Sequence, residues 1–285
     1  MFKKNLFENP NFDPDLYAKR LRSPVAQKRY VILFTARSGS SWLTDVISQT
    51  KKLGLPGEAF NPGFIPKMVQ GLNVQTLDQH IEILLRRRAR GGVHGFEITY
   101  HQLNAVFDSE DHFMQHFGDN KFIWLIRKNP VAQAVSLAKM VTTGVGHTAA
   151  FSDEEVDQAD TSFQYDSSVI KKWLMHNRTA EIATEAMIER YDLKPLRICY
   201  ESMTKVPQYQ LLSVLARHIG TKQIPRDLIP TESEHSKLGT SRNMEMEEQF
   251  RAENAEFVAQ IEEDRRPMLD QLTKLTKRYR KINEV

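Results

Sequence analysis

The sequence has little cysteine and no long apolar run. Its 285 residues include one cysteine, Cys199, which excludes an internal disulfide framework. Inside the apolar run LRICY this residue is predicted to be a buried strand thiol rather than a nucleophile. No stretch approaches the ~18 consecutive apolar residues that span a bilayer, and the stretch MFKKNLFENPNFDPD lacks an apolar signal region. These absences predict a soluble cytoplasmic protein.

The sequence also lacks a large excess of charge of one sign. It has 39 lysines and arginines against 36 aspartates and glutamates, a net charge of +3. This excess is too small for a polycationic nucleic-acid binder, so any anion site must be local. Its nine histidines show no clustered metal-ligand spacing. The sequence therefore predicts no nucleic-acid partner and no metal cofactor.

Apolar runs of strand length recur along the chain. They cover residues 30–34, 93–100, 121–126 and 196–200. Between them lie segments long enough for helical crossovers, as at 77–88 and 168–190. This alternation predicts an α/β fold with a mostly parallel central sheet flanked by helices.

Three segments fall outside this alternation. Residues 1–27 are polar and poorly periodic, which predicts an N-terminal arm followed by a single domain over 28–285. Residues 144–164 lack apolar periodicity and are predicted to form a lid or an interface loop. Residues 245–281 are predicted to form one or two charged helices.

A small polar loop, TARSGSSW, follows the first predicted strand and leads into a helical pattern over 41–50. The amides of a helix start, the serine hydroxyls and the permanent charge of Arg37 can together bind a phosphate or sulfate, and Gly39 permits a tight turn. A serine-capped helix start without a binding role explains the loop equally well when it is taken alone. The signature G-x-x-x-x-G-K-[ST] is absent, which disfavours a nucleoside triphosphatase.

A second basic position follows the third predicted strand. Arg127 comes directly after the run FIWLI, and a helix is predicted over 131–141. On that helix Ser136 shares a face with Gln133 and Met140. Arg127 and Ser136 can close on a second phosphate, as a donor with phosphates at both ends of a nucleoside requires. The alternatives are a surface ion pair for Arg127 and a small helix–sheet contact for Ser136.

Four blocks of the sequence resemble one enzyme family. They are VILFTARSGSSWLTDVI, LGLPGEAFNP, FIWLIRKNPVAQAVSLAKMVTTGVGH and LRICYESMTKVP. They resemble the sulfotransferases that use 3′-phosphoadenosine 5′-phosphosulfate (PAPS), and within them the bacterial trehalose sulfotransferase-like and lipopolysaccharide sulfotransferase group. The resemblance covers most of residues 30–220. It implies a P-loop-like sulfotransferase fold that moves a sulfuryl group from PAPS to a carbohydrate hydroxyl, with adenosine 3′,5′-bisphosphate (PAP) as product.

The resemblance also implies which residues bind the donor. Those for the 5′-phosphosulfate are Arg37, Ser38, Gly39, Ser40 and Ser41. Those for the 3′-phosphate and the adenine are Arg127, Ser136 and Tyr200, with a weaker contribution from the late basic residues Lys237 and Arg242.

The acceptor hydroxyl must lose its proton, so a general base is expected beside it. On sequence alone Glu58, in the block LGLPGEAFNP, is better explained as a solvated loop acid. The resemblance reverses this, because Glu58 resembles the catalytic base of trehalose sulfotransferase. His101 follows the second predicted strand, where eukaryotic cytosolic sulfotransferases place a catalytic histidine, and it is the runner-up. An isolated histidine there is more often a structural residue. His147 is a weaker candidate.

The acceptor and the partners are less defined. Trehalose, a glycolipid or a lipopolysaccharide sugar fits the resemblance, which also implies a homodimer. Basic residues near the C-terminus, at 274–281, are compatible with peripheral contact to anionic lipid. Two other functions stay open: a catalytically inactive module that binds adenosine bisphosphate or another anion, and, with less support, a nucleotide kinase.

Overall fold

The computed structural model of the protein describes residues 6–145, 152–233 and 240–275. His147 and Lys237 lie outside the described residues, as does the C-terminal basic segment beyond residue 275. Within the described part of the chain, no helix is both long enough and apolar enough to cross a membrane.

A four-stranded sheet forms the centre of the fold. Its strands are β1 (Lys28–Phe34), β2 (Val93–Ile98), β3 (Lys121–Ile126) and β4 (Leu196–Cys199). All neighbouring strands pair in parallel, in the order β2-β1-β3-β4. The α/β fold with a parallel central sheet, expected from the sequence, is confirmed.

Helices follow the strands and cover the sheet. In chain order they are α1 (Pro14–Leu21), α2 (Ser40–Gln49), α3 (Ile65–Leu72), α4 (Leu77–Arg87), α5 (Tyr100–Val106), α6 (Glu110–Phe117), α7 (Pro130–Thr143), α8 (Asp153–Ser162), α9 (Ser167–Arg190), α10 (Tyr200–Met203), α11 (Gln208–Ile219), α12 (Ser241–Glu253) and α13 (Ala255–Asp270), with a short 3₁₀ helix at Arg226–Leu228.

Both faces of the sheet are buried, which explains why the strands are mainly apolar. Along β1, Val31 and Leu33 point into one core cluster, which also contains Phe107 and the phenylalanine rings of α6. Tyr30 and Ile32 point into a second cluster, which is completed by α2 and α11. Because side chains alternate along a strand, β1 contributes apolar side chains to both clusters.

A third apolar cluster joins the helices beyond β3. It is formed by residues of α7, α9, α12 and α13, among them Ala134 and Phe250, both with no exposed surface, and Ile261. This packing fixes α7, and with it the turn that follows β3, against the C-terminal helices.

Two of the segments that were expected to fall outside the strand–helix alternation contain helices. The predicted arm contains α1, whose signals are Asp13 as N-cap and Pro14 in the first turn. The segment 144–164, predicted to form a lid or an interface loop, contains α8, so the prediction of a loop is wrong for Asp153–Ser162. Helix α8 has little apolar periodicity because only Ala159 is buried among its described side chains, and it starts at a capping box in which the Ser152 and Glu155 side chains bond each other's backbone amides.

Candidate active site

A crevice opens at the carboxyl ends of β1 and β3. The chain leaves β1 towards β2 on one side, whereas β3 lies on the other side of β1. The loops after the two central strands therefore diverge, which is where parallel α/β sheets bind ligands. A cavity of about 920 Å³ lies here, lined by both loops and by residues of α5, α7, α9 and α12.

The loop after β1 turns sharply into α2. Arg37 and Gly39 both have positive φ, 64° and 88°, and Gly39 is the N-cap of α2 without any side-chain cap. A Cβ atom on Gly39 would lie 2.3 Å from the Tyr200 ring, so only glycine fits. The interpretation of this loop as a serine-capped helix start is therefore wrong, and the N-terminal residues of α2 line the cavity without a side-chain cap.

The buried side-chain amide of Gln133 holds the backbone of the loop after β1. Gln133, which is 1% exposed, donates from Nε2 to the hydroxyl of Thr35 at 2.8 Å and to the carbonyl of Ala36 at 2.7 Å. Asn177 donates to the same Ala36 carbonyl at 3.3 Å. Helices α7 and α9 thus hold the backbone that precedes Arg37.

Arg37 and Arg127 converge on one place. Nε of Arg37 donates to the Ser136 hydroxyl at 3.0 Å, and Nη1 of Arg127 donates to the carbonyl of Arg37 at 3.1 Å. Burial, together with the charge of Arg127, lowers the pKa of Arg37 to about 10. The group still carries its proton at neutral pH, so two cations stand side by side at the end of the cavity.

The Arg127 side chain is held on two sides. Its guanidinium carbon lies 4.4 Å from the centre of the Tyr200 ring, which is a cation–π distance. Its Nε lies 3.3 Å from Oε1 of Glu201. The Glu201 carboxylate also accepts from the backbone amides of Lys128 at 2.9 Å and Asn129 at 3.3 Å. The turn after β3 is therefore built around Glu201, which the sequence analysis did not single out.

The loop serines have different environments. Ser40 and Ser41 line the cavity. Ser38 is fully buried beneath the loop, and its hydroxyl has no hydrogen-bond partner among the described residues. Such an orphaned group is uncommon in native structures.

Glu58 lies at the far wall of the crevice. The amide of Glu97 on β2 donates to the carbonyl of Gly57 at 3.0 Å, which holds this segment along the edge strand. Oε2 of Glu58 accepts from Asn61 Nδ2 at 2.7 Å and from Gln102 Nε2. Within the described part of the chain no hydrogen bond reaches Oε1, so that oxygen can take a proton.

The partner of Glu58 is itself fixed by a capping box. Thr99 caps α5 by accepting from the amide of Gln102, and Oε1 of Gln102 accepts from the amide of Thr99 at 2.9 Å. The Nε2 group of the Gln102 side chain donates to Glu58. The pattern T-x-x-Q is a sequence signal of this arrangement, and the sequence analysis missed it.

His101 also lines the cavity, but its ring is already engaged. Its ring stacks on that of His176 at 4.0 Å, and its Nε2 lies 3.2 Å from the His176 carbonyl. Because a carbonyl only accepts, Nε2 carries the hydrogen and donates it. Only Nδ1 of His101 is left to act as a base.

Glu97 is a buried carboxyl that the sequence analysis missed. It lies on β2, is 4% exposed, and bonds the hydroxyl of Ser40. Burial, followed by the charge of Glu58, raises its pKa to about 8, so it is mainly protonated at neutral pH. The signal available in the sequence was a carboxylate inside the apolar strand GFEI, since glutamate is rarely fully buried without a partner.

This carboxyl makes stability depend on pH. Its pKa rises from 4.5 to about 8 on folding, so its contribution is fully present below about pH 4.5 and is lost as pH rises through about 8. We expect Glu97→Gln to be more stable than the unmodified protein at pH 9, by roughly 5 kcal/mol at most. Urea unfolding of both proteins at pH 5, 7 and 9 measures the difference. Glu263→Gln, at an exposed carboxyl of α13, is the control, and parallel stability curves for Glu97→Gln and the unmodified protein would contradict the assignment.

One predicted site residue, Arg242, is not among the residues that line the cavity. Arg242 is half-buried in α12, whereas the residues of α12 that line the cavity within the described chain are Asn243, Met244 and Glu247. The sequence analysis had named none of these three.

Comparison with known proteins assigns the family. The family model described as Stf0 sulphotransferase matches residues 29–253, a range that begins at the second residue of β1 and contains the other three strands and all the cavity-lining residues of the described chain. A search of curated proteins finds no match. Since the family model spans well over half of the chain, the protein belongs to the Stf0 sulfotransferase family, whose chemistry is sulfuryl transfer.

Proposed function

We propose that this sulfotransferase moves a sulfuryl group from PAPS to a carbohydrate hydroxyl, on trehalose, a glycolipid or a lipopolysaccharide sugar. The observation that carries the proposal is the convergence of Arg37 and Arg127, from the ends of adjacent strands, on the N-terminus of α2. A helix start with two permanent cations is suited to a ligand with more than one anionic group.

The residues fit such a donor at several points. The amides of the α2 start, the Arg37 fork and the hydroxyls of Ser40 and Ser41 suit a 5′-phosphosulfate. The buried hydroxyl of Ser38, without a partner among the described residues, can support the same loop. Arg127 suits the 3′-phosphate, and Ser136 holds Arg37 in place.

We assign the adenine of the donor to Tyr200, which lines the cavity. Its ring lies against Gly39 and beneath Arg127, between the two positions assigned to phosphates. An adenine can stack on such a ring.

Sulfuryl transfer requires stabilisation of developing negative charge and one proton transfer. As the acceptor oxygen bonds to sulfur and the bond from sulfur to the bridging phosphate oxygen breaks, negative charge develops on that oxygen, and PAP leaves. Arg37 and the α2 amides are aimed at this charge. Oε1 of Glu58 takes the acceptor proton, and the amides of Asn61 and Gln102 hold the carboxylate in position.

The proposed acceptor region combines polar and aromatic groups. Beside Glu58 and Asn61 the cavity is lined by Trp42 and by Phe64, which is 53% exposed. Amide and carboxylate groups can bond sugar hydroxyls, and aromatic rings can cover the apolar face of a pyranose. A few convergent polar groups among apolar walls are typical of small-molecule sites.

The function is tested with ³⁵S-labelled PAPS and a panel of trehalose, glycolipids and lipopolysaccharide. We expect PAP to bind and label to move to at least one acceptor. Adenosine 5′-phosphosulfate, which lacks the 3′-phosphate, is the control donor and should be used at least about tenfold less well. Binding of PAP without transfer to any acceptor would favour the inactive binding module instead.

The implied partners extend the same proposal. The resemblance to the trehalose-type group favours a homodimer with the acceptor near the interface. Of the basic residues near the C-terminus, Lys274 lies in the described part of the chain, and peripheral contact with anionic lipid stays a prediction.

A further inference from the structure

A buried arginine of the last helix lies directly behind the turn that carries Arg127. Arg265, on α13, has no exposed surface. It lies beyond residue 253, where the match to the family model ends, and it lines no part of the cavity among the described residues. A fully buried guanidinium is costly unless its donors are satisfied, so its contacts show what it holds.

Four hydrogen bonds use four of the five N–H donors of the Arg265 guanidinium. Two go to the carboxylate of Glu181 on α9, from Nε at 2.9 Å and from Nη2 at 2.7 Å. The other two go to backbone carbonyls, from Nη1 to Lys128 at 2.8 Å and from Nη2 to Arg127 at 2.5 Å. Glu181 is 3% exposed on its side chain, so the pair is shielded from water and salt.

The two carbonyls belong to the turn after β3, whose amides are held from the other side. There the carboxylate of Glu201 accepts from the amides of Lys128 and Asn129 and pairs with the Arg127 side chain. The turn is thus clamped between a buried cation on its carbonyls and an anion on its amides. Its backbone direction determines where the Arg127 guanidinium points.

We infer that Arg265 is a positioning residue for the donor's 3′-phosphate, because it orients the turn that presents Arg127 to the cavity. The inference rests on the proposed function, which assigns Arg127 to that phosphate. It predicts a selective defect: a change at Arg265 weakens only the part of donor binding that the 3′-phosphate contributes.

The test compares PAP with adenosine 5′-phosphate, which shares the 5′ end and lacks the 3′-phosphate. Arg265→Lys keeps the charge beside Glu181 but loses the planar fork that reaches both carbonyls. We expect it to raise the Kd of PAP about tenfold, the effect of impairing one charge-assisted contact, and to leave the Kd of adenosine 5′-phosphate within about twofold. Isothermal titration calorimetry of both ligands measures the ratio.

The neighbouring residue supplies a matched control. Arg266 is on the same helix, and its side chain is 66% exposed, so Arg266→Lys should change neither Kd. In an Arg127→Gln background, Arg265→Lys should have no further effect on PAP, because the residue through which it acts is gone.

A second variant covers the case in which Arg265→Lys does not fold. Replacing both residues, Arg265→Met with Glu181→Met, leaves no unpaired carboxylate, and such paired replacements are often tolerated. Arg178, which also contacts Glu181 at 3.4 Å, keeps its hydrogen bond to the carbonyl of Asp264. We expect the same selective loss of PAP affinity.

The outcomes distinguish a failure of this inference from a failure of the proposed function. If the Kd values of PAP and adenosine 5′-phosphate rise equally, or if neither changes, Arg265 only supports the fold and the inference is overturned. If the unmodified protein does not prefer PAP to adenosine 5′-phosphate, the assignment of Arg127 to a 3′-phosphate fails, and the inference fails with it.

Discussion

Replacing Glu58 by glutamine is expected to lower kcat by about 10²–10⁴-fold, the usual contribution of a general base. Glutamine has the same shape and can still bond the amides of Asn61 and Gln102, so the site should keep its form. It cannot accept the acceptor proton. The Kd of PAP should stay within about twofold, because Glu58 is assigned to the acceptor side. Single-turnover transfer of label from PAPS and calorimetric titration of PAP measure the two quantities.

His101→Gln is the discriminating comparison for this prediction. In the unmodified protein Nε2 of His101 already donates to the His176 carbonyl. We therefore expect His101→Gln to lower kcat much less than Glu58→Gln does. An active Glu58→Gln protein together with an inactive His101→Gln protein would transfer the role of base to His101.

Replacing Arg37 by asparagine is expected to lower kcat/KM by about 10²–10³-fold, the effect of removing one preorganised donor at developing charge. Asparagine is chosen because Arg37 has a φ of 64°, a region that asparagine tolerates better than most residues. The backbone of the loop should therefore persist while the cation and its bond to Ser136 are lost. Steady-state kinetics with PAPS measure the effect.

Lys51→Asn is the matched control. Lys51 also has a positive φ, 54°, and is an exposed cation outside the crevice lining, so its replacement should leave kcat/KM unchanged. Binding of PAP and of adenosine 5′-phosphate distinguishes the proposed 5′ position from the proposed 3′-phosphate position. Arg37→Asn should weaken PAP and adenosine 5′-phosphate alike, since both carry the 5′ group, and a loss confined to PAP would move Arg37 to the 3′ end.

Much of the fold was predictable because its signals are local. The runs at 121–126 and 196–200 became β3 and β4 to within a residue, since a strand buried on both faces is mainly apolar. Helix α8 was missed for the opposite reason. It buries little, and its start is determined by a capping box rather than by periodicity.

The site was predictable only in outline. Arg37 and Arg127 could be placed at strand ends, and parallel strands bring such ends to one edge of a sheet. Nothing local indicated that Glu201 would brace Arg127, or that the Gln102 side chain would face Glu58. Those contacts depend on how the elements pack, and each joins residues far apart in the chain.

The sequence by itself therefore determined the parallel α/β sheet and the positions of Arg37 and Arg127 at the ends of two strands, because apolar periodicity, turn residues and strand ends are properties of short segments. Only the tertiary structure decided that the two arginines converge, that Glu97 is buried beside Ser40, and that Arg265 stands behind the β3 turn. These contacts join residues separated by 57 to 138 positions, and distances of that kind exist only once the helices have packed on the sheet.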